Sequence, residues 1–256
     1  MAEQAVAGTR LVYGFHAVAA RLRQRPDSVR EIYAVATRGD ARLRSLLASA
    51  AASKVRVVSV SGERLDRMLG GHRHQGIAAA VEVESLPQHL DEVLDRVTGM
   101  PLVLVLDGVQ DPHNLGACLR SADAMGVNAV IAPKDRAVGI TPVVAKVACG
   151  ATEVVPYLMV TNLAREIDSL KDRGLTVVGL AGEAEDHLAS QRLDQPMALV
   201  LGAEGGGMRR LTRERCDALV RIPMSGHVES LNVSVAAGIC LYEVSRQRAS
   251  VLAGKA

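Results

Sequence analysis

The chain has 256 residues, 48% of them hydrophobic but only 2% aromatic, with one Phe and no Trp. That length supports one large core, or a moderate core plus a smaller domain, and the scarcity of rings excludes a surface that captures bases by repeated stacking. The net charge of +2 hides an asymmetry: residues 1–80 carry 13 Lys/Arg against 6 Asp/Glu, and residues 81–256 carry 17 against 22.

Residues 1–9 read as a loose tail. From Arg10 to Glu84 the pattern predicts a compact α/β module: a short helix over Ala17–Leu22, strands over Glu31–Ala36 and Val55–Val60, a helix between them marked by Leu43, Leu46 and Leu47, and a strand over Ile77–Val83. Its basic charge suits a polyanion such as RNA, although ordinary solubility explains it equally well. Ser85-Leu86-Pro87 breaks the pattern, and 85–100 is expected to connect two domains, part of it helical through Leu90, Val93, Leu94 and Val97. The larger domain, 101–248, opens with Leu102-Val103-Leu104-Val105-Leu106. Further apolar runs follow at Val127–Ile131, Leu175–Gly179, Met197–Leu201 and Leu219–Ile222. Continuous apolar runs signify strands covered on both faces, which is the habit of a parallel sheet. Leu115, Cys118, Leu119, Ala122 and Met125 keep helical spacing. Asn162 is placed to cap a helix whose Leu163, Ile167 and Leu170 face inward until Gly174 ends it. The last helix, Leu231 to about Arg246, is apolar almost all round until Tyr242, so it needs cover from the sheet or from a partner subunit.

Cys118, Cys149, Cys216 and Cys240 form no metal knuckle and read as free thiols of a reducing cytoplasm. No secretion signal or membrane span is expected, and no metal site.

Polar residues that secondary-structure propensity does not ask for gather after three of the strands. They run from Asp107 to Arg120, from Gly202 to Arg210, and from Pro223 to Asn232. Ligands of open parallel sheets bind beyond the carboxyl ends of the strands, so the three loops are expected to converge on one site. The first loop lacks Gly-x-Gly-x-x-Gly, and no Gly-Lys-[Ser/Thr] phosphate loop occurs. This argues against a nicotinamide oxidoreductase. The actual glycine cluster contains Glu204, whose charge repels a diphosphate but suits a cationic or zwitterionic nucleoside; a merely flexible turn is the alternative. Arg120 lies among Ala117, Cys118, Leu119 and Ala122, where a charge is costly unless paired. It is either a solvent-face arginine or a fork for an RNA phosphate. Asn114 at the helix start is either a cap or a substrate-orienting amide. Ser230 has the same ambiguity at the last helix, and Asn232 could be satisfied by neighbouring backbone. No hydrolytic triad emerges.

At these loops the sequence resembles the SpoU/TrmH class of RNA 2'-O-methyltransferases. The similarity is carried by Asp111-Pro112-His113-Asn114-Leu115-Gly116 through Arg120, Gly202-Ala203-Glu204-Gly205, and Ile222-Pro223-Met224 followed by Ser230-Leu231-Asn232-Val233-Ser234-Val235-Ala236. Lys146–Ala151 and Gly238–Glu243 resemble a bacterial subgroup that methylates a guanosine ribose in the peptidyl-transferase P-loop of 23S rRNA. Tyr13–Val18 and His74-Gln75-Gly76-Ile77 look like its small ribosomal-protein-like RNA-binding domain. The resemblance implies a C-terminal parallel-sheet domain with a trefoil knot, S-adenosylmethionine as cofactor, and 23S rRNA or a large-subunit precursor as substrate. It also implies a homodimer packed through the knotted region. Carried over by position, Gly202, Ile222 and Leu231 contact the cofactor. Asn114, Arg120, Glu204, Ser230 and Asn232 form the catalytic set, with Arg120 supplied from the opposite subunit. Glu229 stands where the resemblance leads one to expect a small residue. A guanidinium, with its pKa above about 12, is a poor base, so Arg120 is expected as the electrostatic partner of the developing alkoxide. A non-catalytic RNA-binding protein and a tRNA ribose methyltransferase of the same class are the competing expectations.

Overall fold

A computed structural model describes residues 9–35, 41–71, 74–82 and 86–253, so the tail expected over residues 1–9 lies almost entirely outside the described residues. The chain divides into two compact units on either side of the Ser85–Leu86 bond.

The first unit runs β1 (Thr9–Tyr13), α1 (Phe15–Gln24), β2 (Val29–Val35), α2 (Ala41–Ala52), β3 (Arg56–Val60), α3 (Gly62–Met68) and β4 (Ile77–Glu82). Its four-stranded sheet has the order β1-β4-β2-β3, with β2 and β3 parallel and β4 antiparallel to both neighbours. β4 is the central strand, and its Ile77 to Val81 are all buried. Alternation then sorts side chains between two faces: Ile77, Ala79 and Val81 pack with Val18, Leu43 and Leu46 from α1 and α2, while Ala78 and Ala80 pack with Leu65 from α3. The sequence pattern missed β1 and α3. β1 is a partly covered edge with no continuous apolar run, and the seven residues of α3 include only one fully inward leucine.

The second unit contains α4 (Leu90–Asp95), β5 (Leu102–Asp107), α5 (Pro112–Ala124), β6 (Ala129–Pro133), α6 (Pro142–Ala148), β7 (Tyr157–Val160) and α7 (Leu163–Asp172). It continues through β8 (Thr176–Leu180), β9 (Asp186–His187), β10 (Met197–Gly202), α8 (Arg210–Arg215), β11 (Ala218–Arg221) and α9 (Val233–Ala253). Its seven strands lie in the order β7-β6-β5-β10-β8-β11-β9, and every neighbouring pair is parallel. Both faces of the sheet are covered, which is why its strands read as unbroken apolar runs. Leu102, Leu104 and Leu106 of β5 face Leu115, Leu119 and Leu241 of α5 and α9. Val103 and Val105 face the other way, onto Leu90, Val93 and Leu94 of α4 and Ile167 of α7. The stretch 85–100, expected as a connection, thus supplies α4 to the second unit's core. Asn162 caps α7 by accepting the Arg165 N–H at 3.1 Å.

Two helix starts differ from expectation. α5 is capped by Asp111, whose Oδ1 accepts from the backbone N–H groups of His113 and Asn114, with Pro112 in the first turn. Asn114 is therefore inside the helix with its side chain free for other use. α9 begins at Val233, two residues after the expected Leu231. Asn232 precedes it and its Oδ1 accepts from the Ser234 N–H at 2.9 Å. Ser230 is not the cap. The four cysteines are free, and burial pushes the Cys118 and Cys240 thiols up to about 12. Among the described residues no helix is long and apolar enough to cross a membrane, and no group of three His, Cys, Asp or Glu could hold a metal ion.

Candidate active site

At the carboxyl ends of β8, β10 and β11 lies a cavity of about 370 Å³. β10 contributes Gly202 and the following turn, β11 contributes Arg221 with Ile222 just after it, and the segment before α9 contributes Ser230 and Leu231. Three of the expected cofactor contacts and two of the expected polar residues, Glu204 and Ser230, thus share one wall. The loop after β8 (Leu180, Ala181, Gly182) also lines the cavity. The sequence reading missed it because it carries no charged or amide side chain before Glu183; Gly182 was its only signal.

The turn after β10 closes on itself. Ala203 and Gly207 exchange backbone hydrogen bonds of 3.1 and 2.9 Å, and Gly205 and Gly207 adopt positive φ of 77° and 62°. This fold-back presses the backbone against Gly202: a Cβ there would lie 2.0 Å from the Gly207 carbonyl carbon and 2.2 Å from the Met208 nitrogen. Only glycine fits. A buried carboxylate holds the far end of the turn. Asp107, at the end of β5 with a fully buried side chain, accepts from the Arg209 backbone N–H at 2.8 Å and from its Nε at 2.6 Å. This tie joins the first and second loops, and neither partner was among the expected site residues. An aspartate ending a wholly buried strand was the available sign.

Asn114, Glu204 and Asn232 come together although the sequence separates them by 90 and 28 residues. Glu204 Oε1 accepts from Asn114 Nδ2 at 2.9 Å and from Asn232 Nδ2 at 2.7 Å, and Asn232 Nδ2 also donates to Asn114 Oδ1 at 2.9 Å. Both ends of the Asn232 amide are therefore used, because its oxygen starts α9. A carboxylate oxygen that accepts from two amides has a fixed direction.

Arg120 stands apart. It is exposed on α5, it is not among the described residues lining the cavity, and its Nη1 donates to Cys149 Sγ at 3.5 Å. Of the two alternatives for its placement, Arg120 takes the solvent side: Cys118, Leu119 and Ala122 are buried while Arg120 is exposed on the same helix. Gly116 sets α6 close to that helix, since a Cβ on it would meet Val147 Cβ at 2.7 Å.

The cavity fits the nucleoside cofactor that the resemblance implies. Its walls offer backbone groups at Gly202 and Leu231 and two carboxylates, Glu204 and Glu229. Arg221, also in the wall, has a buried Nε with no hydrogen-bond partner among the described residues, a donor waiting for an acceptor group.

A doubly covered parallel sheet whose cavity is lined by an amide-held carboxylate, Glu204, defines the class, and the chain belongs to the SpoU rRNA methylase family, whose pattern matches residues 101–242. Residues 11–86 match the RNA 2'-O ribose methyltransferase substrate-binding domain. The chain is similar to the 23S rRNA (guanosine-2'-O-)-methyltransferase RlmB of Ralstonia nicotianae, 58% identical over 243 residues that span 95% of this chain and 98% of the relative. It is 51% identical to the protein of that name from Neisseria meningitidis, over 95% of this chain and 97% of the relative. Among solved structures, the SpoU methyltransferase AviRb from Streptomyces viridochromogenes, in complex with the cofactor AdoMet, is similar with a TM-score of 0.65 at 26% identity. That match covers 95% of this chain and 92% of the other. The TrmH/SpoU tRNA modifying enzyme of A. aeolicus matches with a TM-score of 0.55 at 31% identity, over 59% of this chain and 77% of its own.

Proposed function

We propose that the second unit methylates the 2'-oxygen of a guanosine ribose in 23S rRNA, with S-adenosylmethionine in the cavity at Gly202, Ile222 and Leu231. The observation that carries this reading is Glu204 on the cavity wall, held from behind by the amides of Asn114 and Asn232. When bound, the cofactor supplies a methyl group already made electrophilic by its sulfonium, so the protein's task is placement. Gly202 keeps the β10 turn tight against the bound nucleoside, and the Asp107–Arg209 tie holds that turn in place. Glu204, oriented by two amides, fixes the polar side of the cavity, and Ser230 adds a hydroxyl there. The ribose hydroxyl releases its proton to solvent as its oxygen takes the methyl, a neutral thioether being the leaving group. Arg120 is the electrostatic partner of the resulting negative charge and of the neighbouring phosphate.

Arg120 does not line its own chain's cavity, so the reading includes a homodimer in which it serves the partner's. Two features support this. The outer side of α9 exposes Val235, Ile239 and Tyr242, which is 60% exposed, at helical spacing. α9 also packs on α5, Gly238 lying over Ser121, the residue after Arg120. A knotted chain path belongs to the same reading, supported by membership of the SpoU family. So do the peptidyl-transferase P-loop as target, the first unit (10–84) as the holder of rRNA or its precursor, and a cytoplasmic location.

Incubating the protein with isotopically labelled S-adenosylmethionine and total bacterial RNA, followed by nuclease mapping and nucleoside mass analysis, tests this. Label in 2'-O-methylguanosine of 23S rRNA is expected. Label on a base, or solely in tRNA, refutes it.

A further inference from the structure

A second cavity of about 320 Å³ adjoins the first and has no role in the proposed function as stated so far. It lies on the other side of the carboxylate–diamide set, sharing Ala203, Glu204 and Val233 with the cofactor cavity and adding Gly108, Gln110, Asp111 and Asn114. We propose that this cavity seats the guanine base of the target nucleotide and that Gln110 and Asp111 read its Watson–Crick edge. The inference rests on the methyltransferase reading and extends it to how the nucleoside is chosen.

The argument begins with charge. The described lining contains two carboxylates, Asp111 and Glu204, and no Lys, Arg or His. Such a lining repels phosphate and attracts a neutral group rich in donors. Placement comes next. A ribose whose 2'-oxygen faces the cofactor across the set carries its base on the adjacent carbon. The base must then lie to one side of the set, and this cavity is open there.

The acceptors complete the case. Asp111 Oδ1 is taken by the helix cap, but Oδ2 has no hydrogen-bond partner among the described residues. The Gln110 side chain is exposed and likewise has none. Gly108, turned to a φ of +93°, lies with Ala203 3.5 Å from where its Cβ would be, so the floor is backbone and one methyl group. Guanine presents adjacent N1–H and N2–H donors. Asp111 Oδ2 accepts the first and Gln110 Oε1 the second. Adenine turns an acceptor, its N1, toward the same carboxylate and is disfavoured, leaving both partners unpaired.

The test uses the full chain and 23S rRNA assembled by ligation with guanosine or inosine at the mapped target. Inosine keeps the N1–H and the ribose but lacks the N2 amine. The ratio of kcat/KM, guanosine over inosine, is measured for wild type and for Gln110→Ala, with S-adenosylmethionine affinity confirming that the variant is folded. The expected ratio is about tenfold or more for wild type, as loss of one hydrogen bond in a substrate pocket produces, and falls to within about twofold for Gln110→Ala. A wild-type ratio near one, or an undiminished ratio in the variant, overturns the assignment. Transfer to neither RNA overturns the enzyme reading itself and the base seat with it.

Discussion

Replacing Gly202 by Ala attacks the cofactor cavity at its most crowded point. The new Cβ would lie 2.0 Å from the Gly207 carbonyl carbon, where about 3.0 Å is the closest approach real contacts show, so the turn must retreat by about 1 Å. The atoms met are backbone, so no rotamer change relieves them. Retreat breaks the two Ala203–Gly207 hydrogen bonds, at about 1 kcal/mol each. Overpacking adds about 1–3 kcal/mol. The sum, about 3–5 kcal/mol, lowers Tm by roughly 6–20 °C at about 2–4 °C per kcal/mol for a domain of this size. The displaced turn should also weaken S-adenosylmethionine binding by at least about tenfold, since about 1.4 kcal/mol of lost contact suffices. Calorimetric unfolding and titration measure both. Gly206→Ala is the control, because a Cβ there meets nothing within 4 Å and its φ is not positive. It should match wild type in both assays. A Gly202→Ala protein with native Tm and native cofactor affinity would show that the turn is not the tight cradle described.

Two further outcomes separate the residue roles. Arg120→Ala should reduce methyl transfer about 100-fold or more while leaving S-adenosylmethionine affinity within about twofold, as expected of a group acting on developing charge; equal losses in single-turnover rate and cofactor affinity would assign it to cofactor binding instead. Tyr242→Lys places a charge in the exposed apolar stripe of α9 without touching the buried Leu241 and Val244. Light scattering should find a dimer for wild type and a monomer for the variant, with transfer lost alongside; an unchanged dimer would put the interface elsewhere.

The five strands expected in the larger domain were legible because burial on both faces writes a strand as an unbroken apolar run. β5 is the plainest case, with all six residues buried. β7 was not legible: it is a four-residue edge strand, and its Met159 and Val160 are only partly covered. α6 was missed because seven residues between a threonine cap and a left-handed Cys149 carry too little periodicity to count. Nor could any local pattern give the strand order, since β5 pairs with β10 across most of the domain. The site divides the same way. Asn114, Glu204 and Asn232 were recognisable as amide and carboxylate residues following strand ends, where propensity does not require them. Their mutual hydrogen bonds depend on three chain segments arriving together. Asp111 took the cap that the sequence also offered to Asn114, because a preceding Pro112 fixes the first turn. Whether Arg120 points inward or outward is decided by which side of α5 meets Leu106, and a composition reading cannot see that.

The pairing of Leu102 with Met197 also has a consequence for biosynthesis. On a translating ribosome, β5 emerges long before the strand that will lie beside it, and the segment carrying Leu231 and Asn232 emerges later still. A nascent chain has no finished pocket until that last stretch is free. On the proposed reading the polypeptide therefore cannot transfer a methyl group for nearly all of its own synthesis, and its apolar central strand must meanwhile be kept from wrong partners.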